Sequence, residues 1–160
     1  MGRYPEKYRQ ILRNHFEIKY YDSRILAEIN SKGKSAEKIH QDFVNFGIEK
    51  AVENLQQKEK EKTHILAFSV GGVIAWKYAL KAKNVKSLTL ISSTRLRYEM
   101  AKPSTKIELY FGEKDKYQPA KEWFENLNLK RNVFLDFGHE MYENIDFSKK
   151  TSQEIIQNKS

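Results

Sequence analysis

Residues 64 to 80 read HILAFSVGGVIAWKYAL: an apolar run reaches a serine, turns at two glycines and resumes as a second apolar run with a different period. A lone hydroxyl in that position, Ser69, is a candidate nucleophile. An alcohol attacks an acyl carbon only when a neighbouring base takes its proton, and an imidazole acting as that base needs a carboxylate to orient it. The sequence offers four histidines, at 15, 40, 64 and 139, and acidic residues after several apolar runs, among them Glu113, Asp115 and Asp136. It contains no cysteine, so disulfides, thiolate nucleophiles and thiolate metal sites are excluded together. No two histidines stand at i, i+4 spacing, so no zinc motif is expected.

The elements that must position these groups follow from periodicity. YPEKYRQILRN places Tyr8, Ile11 and Leu12 on one helical face, with Pro5 in the first turn. In HFEIKYY (15 to 21) apolar and polar residues alternate, which predicts a strand near a sheet edge. Residues 22 to 35 read as a loop ending at Ser35, a candidate N-cap, and Ile39, Phe43, Phe46, Ile48, Val52 and Leu55 then predict the longest helix. THILAFS (63 to 69) is short and apolar and predicts a buried central strand, followed by a deeply buried helix from Val70 to near Asn84. KSLTLISS (86 to 93), KIELYFG (106 to 112) and NVFLDFG (132 to 138) are further strands. A helix at 119 to 127 starts on Pro119, and a short terminal helix is expected from the capping-box spacing of Thr151 and Glu154. Alternating helices and strands predict an α/β fold: three layers, α/β/α, with a mainly parallel sheet of about five strands in a single domain over 1–160. Functional loops then lie beyond the carboxyl ends of the strands.

Composition narrows the partners. The apolar content of 39%, spread along the chain, supports a packed core. The apolar run around 65 to 80 is interrupted by Ser69, Gly71, Gly72 and Lys77, and no basic-then-apolar leader opens the chain, so a cytoplasmic protein without a membrane span is expected. The net charge of +8 raises a nucleic-acid reading, but basic residues alternate with acidic ones in QQKEKEK and GEKDK, the pattern of a solvated surface. No nucleic-acid partner is expected.

Ser69 thus sits at the carboxyl end of a strand and directly before a helix, flanked by the small residues Ala67 and Gly71. AFSVG resembles the nucleophile elbow of the α/β-hydrolase family, Gly-x-Ser-x-Gly, with Ala67 for the first glycine. The resemblance implies an acid and then a histidine after later strands, and the chain has that order. ELYFGEKDKYQP places Asp115 where the family carries its acid, with Glu113 and Asp136 as substitutes. FLDFGHEMY places His139 after the last strand, with Gly138 freeing the backbone before it. His64 opens the strand that Ser69 closes and so stands about 16 Å away. His15 precedes the first strand and His40 lies on a polar helical face, which leaves His139 as the base. If the strands lie in sequential order, His139 must reach back across about 14 Å.

The same resemblance makes Val70 N–H one oxyanion donor and puts Gly2 where the family's second, glycine-supplied donor falls; the strand that precedes that loop in the family has no counterpart here. Residues 93 to 105 are too short for a helical lid, and Arg95 and Arg97 within them are candidates for an acidic substrate group. The implied activity is hydrolysis of a small ester, thioester or amide through an acyl-enzyme on Ser69, a chemistry that needs no cofactor and no metal. The competing reading is a weak or inactive member of the fold that serves as an interaction module for an acidic partner. A dinucleotide or P-loop site is not expected, because SVGG lacks the glycine spacing and the lysine such loops need.

Overall fold

The computed structural model describes residues 4–159. Four strands form one parallel sheet in sequential order: β1 (Thr63–Phe68), β2 (Val85–Ile91), β3 (Lys106–Gly112) and β4 (Asn132–Phe134). In register Ala67 lies beside Leu90, and Leu90 beside Leu109. The period of 2 sends alternate side chains to opposite faces. Ala67, Leu88, Leu90, Leu109 and Phe111 pack with helices α4 (Ile48–Lys58) and α5 (Val70–Lys81); Ile91 and Tyr110 pack with Tyr8 and Leu12 of α1 (Tyr4–Leu12) and Phe147 of α7 (Ile145–Gln157). The result is the expected three-layer α/β/α arrangement. No helix among the described residues is long and apolar enough to cross a membrane.

Helix α5, which follows Ser69, is buried on most sides through Val73, Ile74, Ala75, Trp76, Tyr78 and Ala79. Its two glycines each cost about 1 kcal/mol of helix propensity. Burying Val73, Ile74 and Trp76 contributes about 1.5–3 kcal/mol apiece, so tertiary packing decides that this segment is helical.

Several expectations need correction. Residues 15–21 form no strand. Their alternation is real, but a strand exists only where a neighbour completes its ladder, and β1 pairs with β2 alone. The sheet therefore has four strands instead of about five, and β1 is an edge strand where a central one was expected. The expected loop at 22–35 contains α2 (Ser23–Leu26), capped by Asp22, whose carboxylate accepts from Arg24 N–H. The long helix is interrupted: α3 (Ala36–Asp42), capped by Ser35 as expected, passes through a π-helical turn at Phe43–Gly47 into α4. Helix α6 (Lys121–Asn126) has Ala120 at its N-cap, so Pro119 lies just outside instead of in the first turn. Strand β4 ends at Phe134, so Asp136 sits exposed at φ 66° in a turn and not within the strand expected over 132 to 138. Helix α7 begins six residues before Thr151, because Asn144 caps it by accepting from Phe147 N–H. Thr151 and Ser152 are buried inside it.

The two loops that follow β3 and β4 are joined by backbone. Glu113 N–H donates to Phe134 O at 2.9 Å, and Lys114 N–H donates to Phe137 O at 2.9 Å. Gly112 ends β3 directly beneath this junction, where a Cβ would stand 2.4 Å from Phe137 O and 2.5 Å from Gly138 O. The close approach that carries the chain back toward β1 thus depends on Gly112. Gly138, credited from the sequence with freeing the backbone, has an ordinary φ of −96° and room for a side chain. Gly112→Ala is predicted to lose about 1–3 kcal/mol of stability in urea denaturation, since the neighbour it meets is backbone; an unchanged midpoint would show that the junction is looser than described.

Candidate active site

The turn from β1 into α5 occurs at a single residue. Ser69 has φ 51° and ψ −125°, a region that non-glycine residues rarely occupy. Three hydrogen bonds hold it there. Its N–H donates to Ile91 O at 3.1 Å, and its carbonyl accepts from Gly72 N–H at 3.0 Å and Thr94 N–H at 3.1 Å. Helix α5 can come this close to the end of β2 because residue 72 lacks a side chain: a Cβ there would lie 2.0 Å from Ser93 Oγ. The small residues emphasised in the sequence matter less, since a Cβ on Gly71 would meet Ser23 Oγ at 3.3 Å and Ala67 Cβ at 3.8 Å.

The structure brings Ser69, His139 and Asp115 together. Ser69 Oγ lies 3.1 Å from His139 Nε2, and His139 Nδ1 lies 3.1 Å from Asp115 Oδ2. His139 opens a short 3-10 turn at His139–Glu143, carried back over the sheet by the loop junction above Gly112. Its side chain is 20% exposed, whereas that of Asp115 is fully buried. Asp115 is fixed from both ends: its N–H donates to Gly112 O at 3.1 Å, and its Oδ1 accepts from Tyr117 N–H at 2.9 Å. That arrangement leaves Oδ2 to face the imidazole. With the proton on Nδ1, His139 donates to Asp115 and offers Nε2 to the serine hydroxyl, so Ser69 Oγ is set up to lose its proton as it attacks.

The substitutes for Asp115 are engaged elsewhere. Glu113 is exposed and its carboxylate accepts from Asp136 N–H, while Asp136 lies 3.6 Å from Lys114 Nζ. Among the other histidines, His15 and His40 are exposed. His64 sits at the opposite end of β1, with Nδ1 2.8 Å from Ser87 Oγ, and burial followed by the charge of Lys86 holds its pKa below the usual value.

Val70, expected as an oxyanion donor, is the first residue of α5, where its N–H has no partner within the helix. Gly2, expected as the second donor, lies outside the described residues. Arg95 and Arg97 stack on Tyr98, 4.6 and 4.8 Å from its ring centre, and Arg97 also donates to Tyr117 O at 3.4 Å. Neither makes an ion pair among the described residues.

Two aromatic neighbours went unread in the sequence. Tyr117 and Tyr142 approach the His139 ring edge to face, at 5.1 and 5.9 Å. Burial first, then the nearby Tyr4, Glu143, Glu140 and Asp115, pushes the Tyr142 hydroxyl up to about 12, so it stays neutral beside the imidazole. Tyr117 had a legible signal: an aspartate commonly accepts from the N–H two residues on.

The backbone at residue 69 yields a prediction independent of chemistry. Because glycine adopts this conformation without strain, Ser69→Gly is predicted to be about 1 kcal/mol more stable than Ser69→Ala, both having lost the hydroxyl. Equal thermal midpoints for the two variants would mean that the turn carries no strain.

Comparison with known proteins bears on the fold. A family model described as the alpha/beta hydrolase fold matches residues 29–144. A search of curated proteins found no match. Among solved structures, a protein of Xanthomonas campestris pv. campestris assigned to the alpha/beta hydrolase superfamily superposes with a TM-score of 0.69 at 15% identity, covering 95% of this chain and 88% of its own. The monoacylglycerol lipase of Paleococcus ferrophilus gives 0.56 at 13% identity, covering 69% and 74%. A protein of Klebsiella pneumoniae subsp. pneumoniae MGH 78578 assigned as a dienelactone hydrolase gives 0.54 at 14%, covering 78% and 66%. At these identities the structures speak for the fold alone, but the family match extends over most of the sequence: the chain belongs to the alpha/beta hydrolase fold family.

Proposed function

We propose that this protein is a serine hydrolase that cleaves a small ester, thioester or amide. The observation that carries the reading is the unbroken hydrogen-bond chain from Ser69 Oγ through His139 to buried Asp115, with the serine held on a strained turn. In the first half-reaction Ser69 Oγ bonds to the acyl carbon as its proton passes to His139 Nε2, and Val70 N–H donates to the oxyanion. His139 then gives that proton to the leaving group as the bond to the acyl carbon breaks. Water, deprotonated by His139, repeats the sequence on the acyl-enzyme, releases the acid and restores Ser69. Asp115 keeps the imidazole in the correct tautomer and stabilises its positive form without taking the proton itself.

The surroundings favour a small substrate. Residues 92–105 form only a short 3-10 turn at Leu96–Tyr98, with Tyr98 and Met100 exposed, so this loop carries no helical lid. Two of the structural neighbours carry names of enzymes that act on esters and lactones, which fits an acyl substrate. The net charge of +8 is the observation that favours the second reading, a weakly active or inactive member that binds an acidic partner.

The two readings separate on treatment with a fluorophosphonate followed by intact-mass measurement. One adduct on the wild type and none on Ser69→Ala is the expected result. Asp115→Asn should still label, about 10,000-fold more slowly, because it leaves the wrong tautomer on His139. Labelling of Ser69→Ala at the wild-type rate would remove Ser69 from the chemistry.

A further inference from the structure

The loop after β2 holds two arginines, Arg95 and Arg97, in fixed places. Arg95 has φ 69° and ψ 2°, a left-handed backbone that a residue with a side chain adopts only where its surroundings impose it. The loop is anchored on both sides of it. Thr94, just before, is buried and donates its N–H to Ser69 O at 3.1 Å, and Leu96, just after, is fully buried. Further on, Glu99 O and Ala101 O accept from the indole N–H groups of Trp123 and Trp76 at 2.8 and 3.1 Å. With Leu96 inside, Arg95 is left half-buried and Arg97 exposed.

Both guanidinium groups lie against Tyr98, 4.6 and 4.8 Å from its ring centre, which keeps two like charges close together. Arg97 is fixed further by donating to Tyr98 Oη at 3.2 Å and to Tyr117 O at 3.4 Å. The carboxylates of this neighbourhood are committed elsewhere: Glu99 lies 3.1 Å from Lys77 Nζ, and Asp115 is taken up by Tyr117 N–H and His139. The Tyr98 hydroxyl registers the resulting positive field, since the Arg97 hydrogen bond and charge, and then the charge of Arg95, hold it below its usual pKa. Holding two long side chains against one ring costs rotamer freedom and mutual repulsion, a cost that an anion between them offsets. Each arginine is also tied to the Ser69–His139 pair. Arg95 follows Thr94, which is bonded to Ser69 O, and Arg97 is bonded to Tyr117, whose ring centre lies 5.1 Å from that of His139.

We propose, on the basis of the serine hydrolase reading above, that the substrate bears a free carboxylate, which Arg95 and Arg97 bind while the acyl carbon lies at Ser69 Oγ. The planar fork of an arginine matches the paired oxygens of a carboxylate, and a hydrogen bond between two charged groups is about twice as strong as a neutral one. The arginines hold the substrate away from the bond that breaks and take no part in proton transfer. A loop too short for a helical lid thereby selects the substrate by charge.

The test compares esters that differ only in charge. Monomethyl esters of short-chain diacids, with the carboxylate on the acyl side, are set against methyl esters of the matching monoacids; butyryloxyacetate, with the carboxylate on the alcohol side, is set against ethyl butyrate. In one of the two sets, kcat/KM for the carboxylate-bearing ester is expected to exceed that of its neutral counterpart by about 10- to 100-fold at low salt. The set that shows the preference identifies which side of the substrate carries the carboxylate, and high salt is expected to weaken the preference. In a protein carrying both Arg95→Gln and Arg97→Gln the ratio is expected to fall to about one, whereas Arg95→Lys with Arg97→Lys keeps part of it, because the charge remains without the fork. The ratio is informative because a folding defect lowers both members of a pair alike. A wild type that fluorophosphonate labels at Ser69, but that hydrolyses charged and neutral esters equally in both sets, overturns the charge selection and leaves the serine hydrolase reading standing. A preference that survives unchanged in the double glutamine variant also overturns it. Absence of both labelling and hydrolysis of any ester overturns the two together.

Discussion

The structure depends on holding one residue in a conformation that it does not prefer. Ser69 has to end a strand, begin a helix and keep its side chain clear of both, and the only backbone that does so costs of the order of 1–3 kcal/mol. That cost is offset by the parallel pairing of β1 with β2, which fixes Phe68 beside Ile91 and so brings Ile91 O and Thr94 N–H to the two ends of the Ser69 peptide unit. The absent side chain at residue 72 lets α5 close over Ser93. Register, turn and helix are therefore one constraint, and a slip of a single residue in the ladder would turn the serine to the other face.

The remainder of the site answers a problem of distance. His139 follows β4, three positions from β1 in the sheet, yet its Nε2 stands 3.1 Å from Ser69 Oγ. Asp115 bridges part of that span from the end of β3, and the backbone bonds from Glu113 and Lys114 tie its loop to the segment that carries His139. A carboxylate buried with both oxygens assigned, one to Tyr117 N–H and one to the imidazole, is what makes such an arched loop specific.

The sequence was informative where chemistry coincides with punctuation. Ser69, Asp115 and His139 all lie at strand ends marked by glycine or by a change of period, and all three meet. It misled where structure depends on a neighbour that the local pattern does not contain. HFEIKYY has the alternation of a strand, but no strand pairs with it among the described residues, and β1 pairs on one side only, which makes it an edge. Gly112 and Gly72 could not be told from Gly138 and Gly71 by spacing, because the atoms that crowd them, Phe137 O and Ser93 Oγ, come from distant parts of the chain. Helix α2 is four residues long and is set by one Asp22 cap, too little sequence for a period to show. The Thr151–Glu154 spacing gave a false start because Asn144 offers an equally good cap earlier.

The fold delivers Ser69 to an imidazole whose other nitrogen is committed to Asp115. Nitrogen-15 NMR of the histidine side chains tests it most directly, because the two ring nitrogens report separately which of them carries the proton. Neutral His139 is expected to be protonated on Nδ1, toward Asp115, and bare on Nε2, toward Ser69. A proton on Nε2 instead, with Nδ1 bare, would contradict it.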